Sequence, residues 1–157
     1  MLKHPERLKD VDAELAMVIQ SAVNQLPFDC AVAEGVRSAE QCYINWGKGR
    51  TAAQCKAEGI DVKYADPKAA KVTWLAHPLG SLHYTKKAVD VYPLLDDGSL
   101  DTGKSPHGMD RFDALFHAVM DRAAALKVRV RYGGDWDQDG KLREKGETDS
   151  PHFERVG

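Results

Sequence analysis

Two imidazoles and two carboxylates stand out by their spacing. The stretch Ser81-Leu82-His83-Tyr84-Thr85-Lys86-Lys87-Ala88-Val89-Asp90 sets a histidine and an aspartate seven positions apart, behind a small hydroxyl residue. Near the C-terminus, Asp149-Ser150-Pro151-His152 sets a carboxylate three positions before a second histidine. His83, Asp90 and His152 make a two-His, one-Asp donor set. Such a set suits zinc and leaves a fourth position open for water, as catalytic rather than structural zinc sites do. Zinc there brings the pKa of water toward ~7 and polarises a carbonyl under attack. Asp149, the spare carboxylate, is spaced to take the proton from that water and pass it to a leaving amine. Taken singly, each residue has a plainer reading: a lone His is usually a surface or hydrogen-bonded residue, and Asp149 before Ser-Pro can simply start a turn. Asp90 is the odd one, because Asp is depleted in strands. The combination points to a zinc peptidase.

The elements that must position these groups follow from periodicity. Leu8, Val11, Leu15, Val18, Ile19, Ala22, Val23 and Leu26 recur at three- and four-residue steps, which predicts a helix from about Pro5 to Gln25, ended by Pro27. Phe28, Cys30 and Val32 alternate with Asp29 and Ala31 as a short strand. Ser38 with Gln41 is a capping-box pattern opening a short helix to about Trp46, with Arg37 at the strand–helix junction. Gly47 to Ala70 is weakly periodic and reads as a long connection with at most a helical turn, and Lys71 to Leu75 as a short strand. Ala88 to Tyr92 alternates, so Val89 and Val91 can bury while Asp90 looks into a cleft. Residues 93–108 are turn-rich. Phe112 to Leu126 is a second amphipathic helix with Asp110 as its expected N-cap. Val128 to Tyr132 is another strand broken by Gly133-Gly134, and Phe153 sits on a last short strand. The order predicts an α+β fold, with helices packed on a small, mostly antiparallel sheet.

The bulk properties narrow the function classes. The chain has 157 residues, enough for one domain with a real core, and an ordinary hydrophobic fraction of 43%. A formal net charge of -2 and scattered basic residues argue against a nucleic-acid partner. The charged N-terminus lacks the apolar core of a signal peptide, and no apolar run is long enough to span a bilayer. Synthesis in a (host) cytoplasm without membrane insertion is therefore expected. Cys30, Cys42 and Cys55 are odd in number and lack CxxC spacing, so free thiols are expected.

These motifs also resemble a known family. Ser81-x-His83-x-x-Lys86-x-Ala88-x-Asp90 resembles the SxHxxGxAxD signature of the M15 (VanY/VanX-like, LAS) metallopeptidases, and Asp149-x-x-His152 resembles their closing motif. Glu34-Gly35-Val36-Arg37-Ser38, Gly49-Arg50-Thr51, Gly133-Gly134-Asp135-Trp136 and His152-Phe153-Glu154 resemble segments of the phage endolysin branch, in the same order. One departure is Lys86, which stands at the signature's Gly position, where positive φ or close backbone approach is expected. The resemblance implies a LAS/Hedgehog-like fold with zinc in a central cleft, held by His83, Asp90 and His152. It implies Asp149 as general acid/base, Arg37 as oxyanion stabiliser or holder of a substrate carboxyl, and Ser81 as a substrate-binding or orienting residue. Glu154, two residues beyond His152, stays in reserve as the base.

The function implied is that of a peptidoglycan endopeptidase cutting the L-alanyl-D-glutamate bond of the stem peptide. It would be a single domain over 1–157 without a separate wall-binding domain, acting as a monomer after holin-type release. Two alternatives stand beside it: a D,D- or L,D-carboxypeptidase of the same family, and a non-catalytic zinc-stabilised phage structural or binding module. A possible second cation site lies in Asp135-Trp136-Asp137-Gln138-Asp139-Gly140, the first half of a calcium loop in which Asp135, Asp137 and Asp139 would be ligands. The second half departs from that pattern: Gly146 holds the twelfth position and Glu147 comes one late.

Overall fold

The computed structural model describes all 157 residues. In chain order the elements are β1 (Leu2–Lys3), α1 (Ala13–Val23), β2 (Cys30–Glu34), α2 (Ala39–Gly47), α3 (Ala52–Ala57), β3 (Ala88–Pro93), α4 (Asp110–Leu126), β4 (Val130–Tyr132) and β5 (His152–Arg155). Short 3-10 turns lie at Pro5–Leu8, Val62–Tyr64 and Pro78–Gly80. The chain forms two compact units, one made of Met1–Val36 with Lys86–Gly157 and the other of Arg37–Thr85. The expected α+β class holds.

The first unit is built on a five-stranded sheet in the order β1-β2-β3-β5-β4. β1 and β2 are parallel, and every other pair is antiparallel. Alternation sorts the side chains. Val89 and Val91 of β3 and Phe153 of β5 bury on one face with Val32, Val130 and Tyr132. That face packs with the apolar stripes of the two long helices, Leu15, Val18, Ile19 and Ala22 from α1 and Leu115, Phe116, Val119 and Ala123 from α4. Asp90, His152 and Glu154 alternate with these core residues and so belong to the other face.

The first helix is shorter than its apolar pattern suggests. Pro5–Leu8 is a separate 3-10 turn, Asp10 takes φ 68, and α1 begins only at Ala13. The reason is Asp12, whose carboxylate accepts the Glu14 and Leu15 amide hydrogens at 3.1 and 3.0 Å and so caps a fresh helix start. At α4 the expected N-cap is corrected. Met109 holds that position without a side-chain bond, and Asp110 and Asp113 lie inside the first turn, where their charge complements the helix dipole. The two-residue edge strand β1 is too short to show alternation, and periodicity does not find it.

The second unit is helical. Trp46, Cys55 and Ile60 form its small core, with Tyr43, Tyr64 and Ala65 packed against them. The connection 47–70 carries a six-residue helix, α3, opened by a full capping box between Thr51 and Gln54. At α2 only half of the expected box forms: Ser38 accepts the Gln41 amide hydrogen, while the Gln41 side chain donates to Asn45 at 2.8 Å. Lys71 to Leu75 is not a strand. Its carbonyls are taken by side chains: Trp46 Nε1 donates to Leu75 O at 2.9 Å and Arg50 donates to Thr73 O at 2.9 Å. Arg50 is buried, also donates to Trp46 O, and lies 4.1 Å over the Trp46 ring. All three cysteines are free and buried, as expected.

Arg50 is thus a structural staple. Arg50→Ala should destabilise the protein by about 2–4 kcal/mol, because buried carbonyls lose a charged donor. Arg50→Lys should recover only part of this, since an ammonium lacks the planar fork. Urea unfolding of the two variants checks both expectations.

Candidate active site

Sheet register builds the first half of the site. Asp90 on β3 and His152 on β5 are direct cross-strand partners, and so are Arg131 on β4 and Glu154 on β5. His152 Nδ1 lies 3.2 Å from Asp90 Oδ1, and its Nε2 lies 2.9 Å from Glu154 Oε2. Arg131 Nε donates to the other oxygen of Glu154 at 2.7 Å. The imidazole is therefore clamped at both nitrogens. Its outer nitrogen is fixed by a buried, arginine-backed carboxylate, and its inner nitrogen is turned toward Asp90.

Asp149 enters through a turn. The His152 amide hydrogen bonds Asp149 O at 3.1 Å, so the three-residue spacing of the motif is the span of one tight turn. Asp149 Oδ2 comes within 3.8 Å of His152 Nδ1, and its side chain stays half exposed. Gly133 holds the turn in place: its N–H donates to His152 O at 2.8 Å and its carbonyl accepts from Asp149 N at 3.2 Å. A Cβ on Gly133 would stand 2.2 Å from Asp149 O, which explains a glycine there. Trp136 completes the wall, with its ring 5.4 Å from that of His152 and the Arg131 guanidinium 5.3 Å from its centre.

The electrostatics separate the acidic groups. Burial opposes charge on His152, but its hydrogen bonds to Asp90 and Glu154 and the nearby charge of Asp90 and Asp149 outweigh this and raise its pKa to about 9. That proton must leave before Nδ1 can bind a cation. Burial also opposes charge on Glu154, but its bonds to His152 and Arg131 prevail and hold its pKa below the usual range. Glu154 is thus a buried, doubly engaged carboxylate, unsuited to trading protons with water. Of the two acids, Asp149 is the one with its side chain half exposed to solvent.

The second unit brings together Arg37, Ser81 and His83. His83 and Ser81 are buried. Arg37 Nη1 donates to Ser81 Oγ at 3.4 Å, and the Arg37 amide hydrogen bonds His83 O at 3.2 Å. Lys86, at the signature's Gly position, adopts φ 69, the left-handed conformation a glycine would take there, with its side chain exposed. The turn is therefore built as the signature requires, at the cost of a strained non-glycine residue. In the acidic loop, Asp135, Asp137 and Asp139 converge, their ligand atoms all within 4.8 Å of one another.

The donors in hand suit zinc. Imidazole nitrogen and carboxylate oxygen face each other at ligand spacing, and a carboxylate on the far imidazole nitrogen is the usual outer-shell partner of a metal-bound histidine. A family model described as phage L-alanyl-D-glutamate peptidase matches residues 2–156. The chain belongs to the phage L-alanyl-D-glutamate peptidase family. This peptidase is 25% identical over 154 residues to the L-alanyl-D-glutamate peptidase of Escherichia phage T5, covering 96% of this chain and 93% of that one. Among solved structures it resembles the Serratia marcescens L-Ala D-Glu endopeptidase ChiX, with TM-score 0.61, 22% identity, and coverage of 96% of this chain and 84% of that one. It also resembles a vancomycin resistance D,D-pentapeptidase VanY in complex with Zn(II), with TM-score 0.52, 24% identity, and coverage of 94% and 73%. Both likenesses are of fold.

Sequence reasoning did not single out Arg131, quoted Trp136 only within a motif, and kept Glu154 in reserve as the base. The signal for Glu154 and Arg131 was present as period-two alternation with His152 and Tyr132, but only cross-strand register pairs them. Glu154→Gln, which keeps the shape and removes the charge, should weaken zinc binding by about tenfold. Competition with a chromophoric chelator measures it.

Proposed function

We propose that this peptidase is a zinc-dependent peptidoglycan endopeptidase that hydrolyses the L-alanyl-D-glutamate bond of the stem peptide, with the whole chain serving as one catalytic domain. The observation that carries the reading is His152, clamped between Asp90 and Glu154 with Asp149 3.8 Å from its inner nitrogen. His83 is the third ligand in this reading. Its support is the donor set, two imidazoles and a carboxylate, and its place in the signature seven positions before Asp90. Family membership over residues 2–156 supports the substrate bond and the single domain.

Bound zinc would supply a Lewis acid for the scissile carbonyl and lower the pKa of water at the site. Asp149, half exposed on its turn, takes the proton from the attacking water and returns it to the leaving amine nitrogen. Glu154 and Arg131 keep the His152 ring in one orientation. Arg37, anchored by Ser81, offers a fixed guanidinium to the oxyanion or to a substrate carboxylate. Water enters from solvent, and Trp136 shields the outer side of the His152 ring. Action as a monomer, delivered to the wall by a holin-type route, belongs to the same reading.

The test is digestion of purified Gram-negative peptidoglycan with mass spectrometry of the products. Wild type should release peptides with new N-terminal D-glutamate. Asp149→Ala should retain zinc and lose about 10²-fold or more in rate, whereas His83→Ala should lose zinc itself. Release of free D-alanine would instead make the enzyme a carboxypeptidase, and equal rates for wild type and Asp149→Ala would remove Asp149 as the base.

A further inference from the structure

The most exposed large apolar side chain of the protein stands on a strap whose backbone is fixed. Trp74 is 77% exposed, and Val72 and Leu75 beside it are also open to solvent. Buried groups of the second unit hold this strap, residues 71–75, from below. Arg50 Nη2 donates to Thr73 O at 2.9 Å and to Leu75 O at 3.5 Å, and Trp46 Nε1 donates to Leu75 O at 2.9 Å. At its start the strap lies against Gly49, where a Cβ would stand 2.9 Å from Lys71 Cβ. The Leu75 amide hydrogen closes the segment on Thr73 Oγ1 at 3.3 Å.

A single exposed apolar side chain on a loose loop needs no explanation. Trp74 differs in two respects. Its backbone is already tied, so covering the ring with a partner costs little further ordering. It also belongs to a cationic unit. Within Arg37–Thr85, seven Lys and Arg stand against four Asp and Glu, a net of +3 in a chain of net -2. Lys68 and Lys71, on the approach to Trp74, are exposed. A flat indole with an N–H at its edge, on a cationic unit, suits a partner with flat apolar faces, polar rims and negative charge. Sugar rings have such faces, and the stem peptides of peptidoglycan carry free carboxylates.

We propose, resting on the endopeptidase reading, that Trp74 is a docking platform for the glycan strand of peptidoglycan, with its indole stacked on a sugar ring. The connectivity of the substrate brings such a ring near. L-alanine is the first residue of the stem and is joined to the sugar through the lactyl group. The bond assigned above therefore lies one residue from the glycan, and an enzyme that cuts it in intact wall works beside sugars. Trp74 stands seven residues before Ser81, a chain span of at most about 25 Å. An anionic bilayer is the poorer fit. Anchors at a membrane surface lay a long apolar helix face into it, whereas Trp74 has only Val72 and Leu75 beside it on a non-helical strap.

The test is calorimetric titration of the zinc-loaded protein with glycan strands freed of their stem peptides by an amidase, which leaves a lactyl carboxylate on the sugar. Wild type should bind, and Trp74→Ala should bind about tenfold more weakly or worse. Trp74→Phe, which keeps an aromatic face, should recover part of the loss. Zinc content and melting temperature should stay at wild-type values in both variants, because the side chain is exposed. No binding of strands by wild type, or equal binding by Trp74→Ala, overturns the proposal. So does a loss confined to vesicles of phosphatidylethanolamine and phosphatidylglycerol, which would make the strap a membrane contact. The strands hold no L-alanyl-D-glutamate bond, so failure here leaves the endopeptidase reading standing, and failure of the digestion assay leaves strand binding readable.

Discussion

The register between β3 and β5 is the constraint on which the rest of the first unit depends. It pairs Asp90 with His152 on one face while Val89, Val91 and Phe153 bury completely on the other. A slip of one residue would turn the two polar side chains into the apolar core and the three apolar ones out of it. The energy that fixes the donors is therefore not their mutual attraction. It is the burial of the large side chains that alternate with them, against α1 and α4. The same alternation lines up Arg131 with Glu154 one strand further on, so the clamp on the imidazole comes from sheet geometry as well.

Within this small region the acidic residues differ in environment, and environment decides their work. Glu154 is buried and tied by both oxygens, so it stays ionised and orients. Asp90 faces the inner nitrogen of the ring. Asp149 sits on a turn with its side chain half exposed to solvent. Glu147 is buried against a loop of other acids. Residue type is the same or nearly so in all four cases; hydrogen bonding and access to water distinguish them.

In the second unit the motif residues divide between architecture and chemistry. Arg50 and Thr51 build the unit, one by tying three backbone carbonyls in two stretches and the other by capping α3. Arg37 and Ser81 are bonded to each other, and Arg37 also bonds the His83 backbone, so these three are organised as a group. Lys86, where the chain re-enters the first unit, carries a positive φ that a glycine would adopt without strain. The conformation outlives the residue that usually provides it, because flanking contacts such as Asp12 N to Lys86 O at 2.8 Å hold the turn.

Much of this was legible in the chain alone. Apolar periodicity revealed the two long helices and the buried faces of three strands, since burial of a stripe is a local demand on sequence. Spacing singled out His83, Asp90, His152 and Asp149 as candidates, because a strand and a tight turn convert fixed intervals into fixed geometry. Other features had to wait for tertiary structure. Asp12 divided the first apolar stripe, which periodicity cannot see because a cap acts through one hydrogen-bonded side chain. Residues 71–75 were kept from pairing as a strand by side chains arriving from Trp46 and Arg50. Glu154 was tied to Arg131, 23 residues earlier in the chain. Glu147 was brought into the acidic loop across a one-residue offset from the standard spacing. The sequence by itself determined which side chains can bury and which can donate. Only the folded chain decided which donors meet, because strand register and loop closure set distances between residues far apart in sequence.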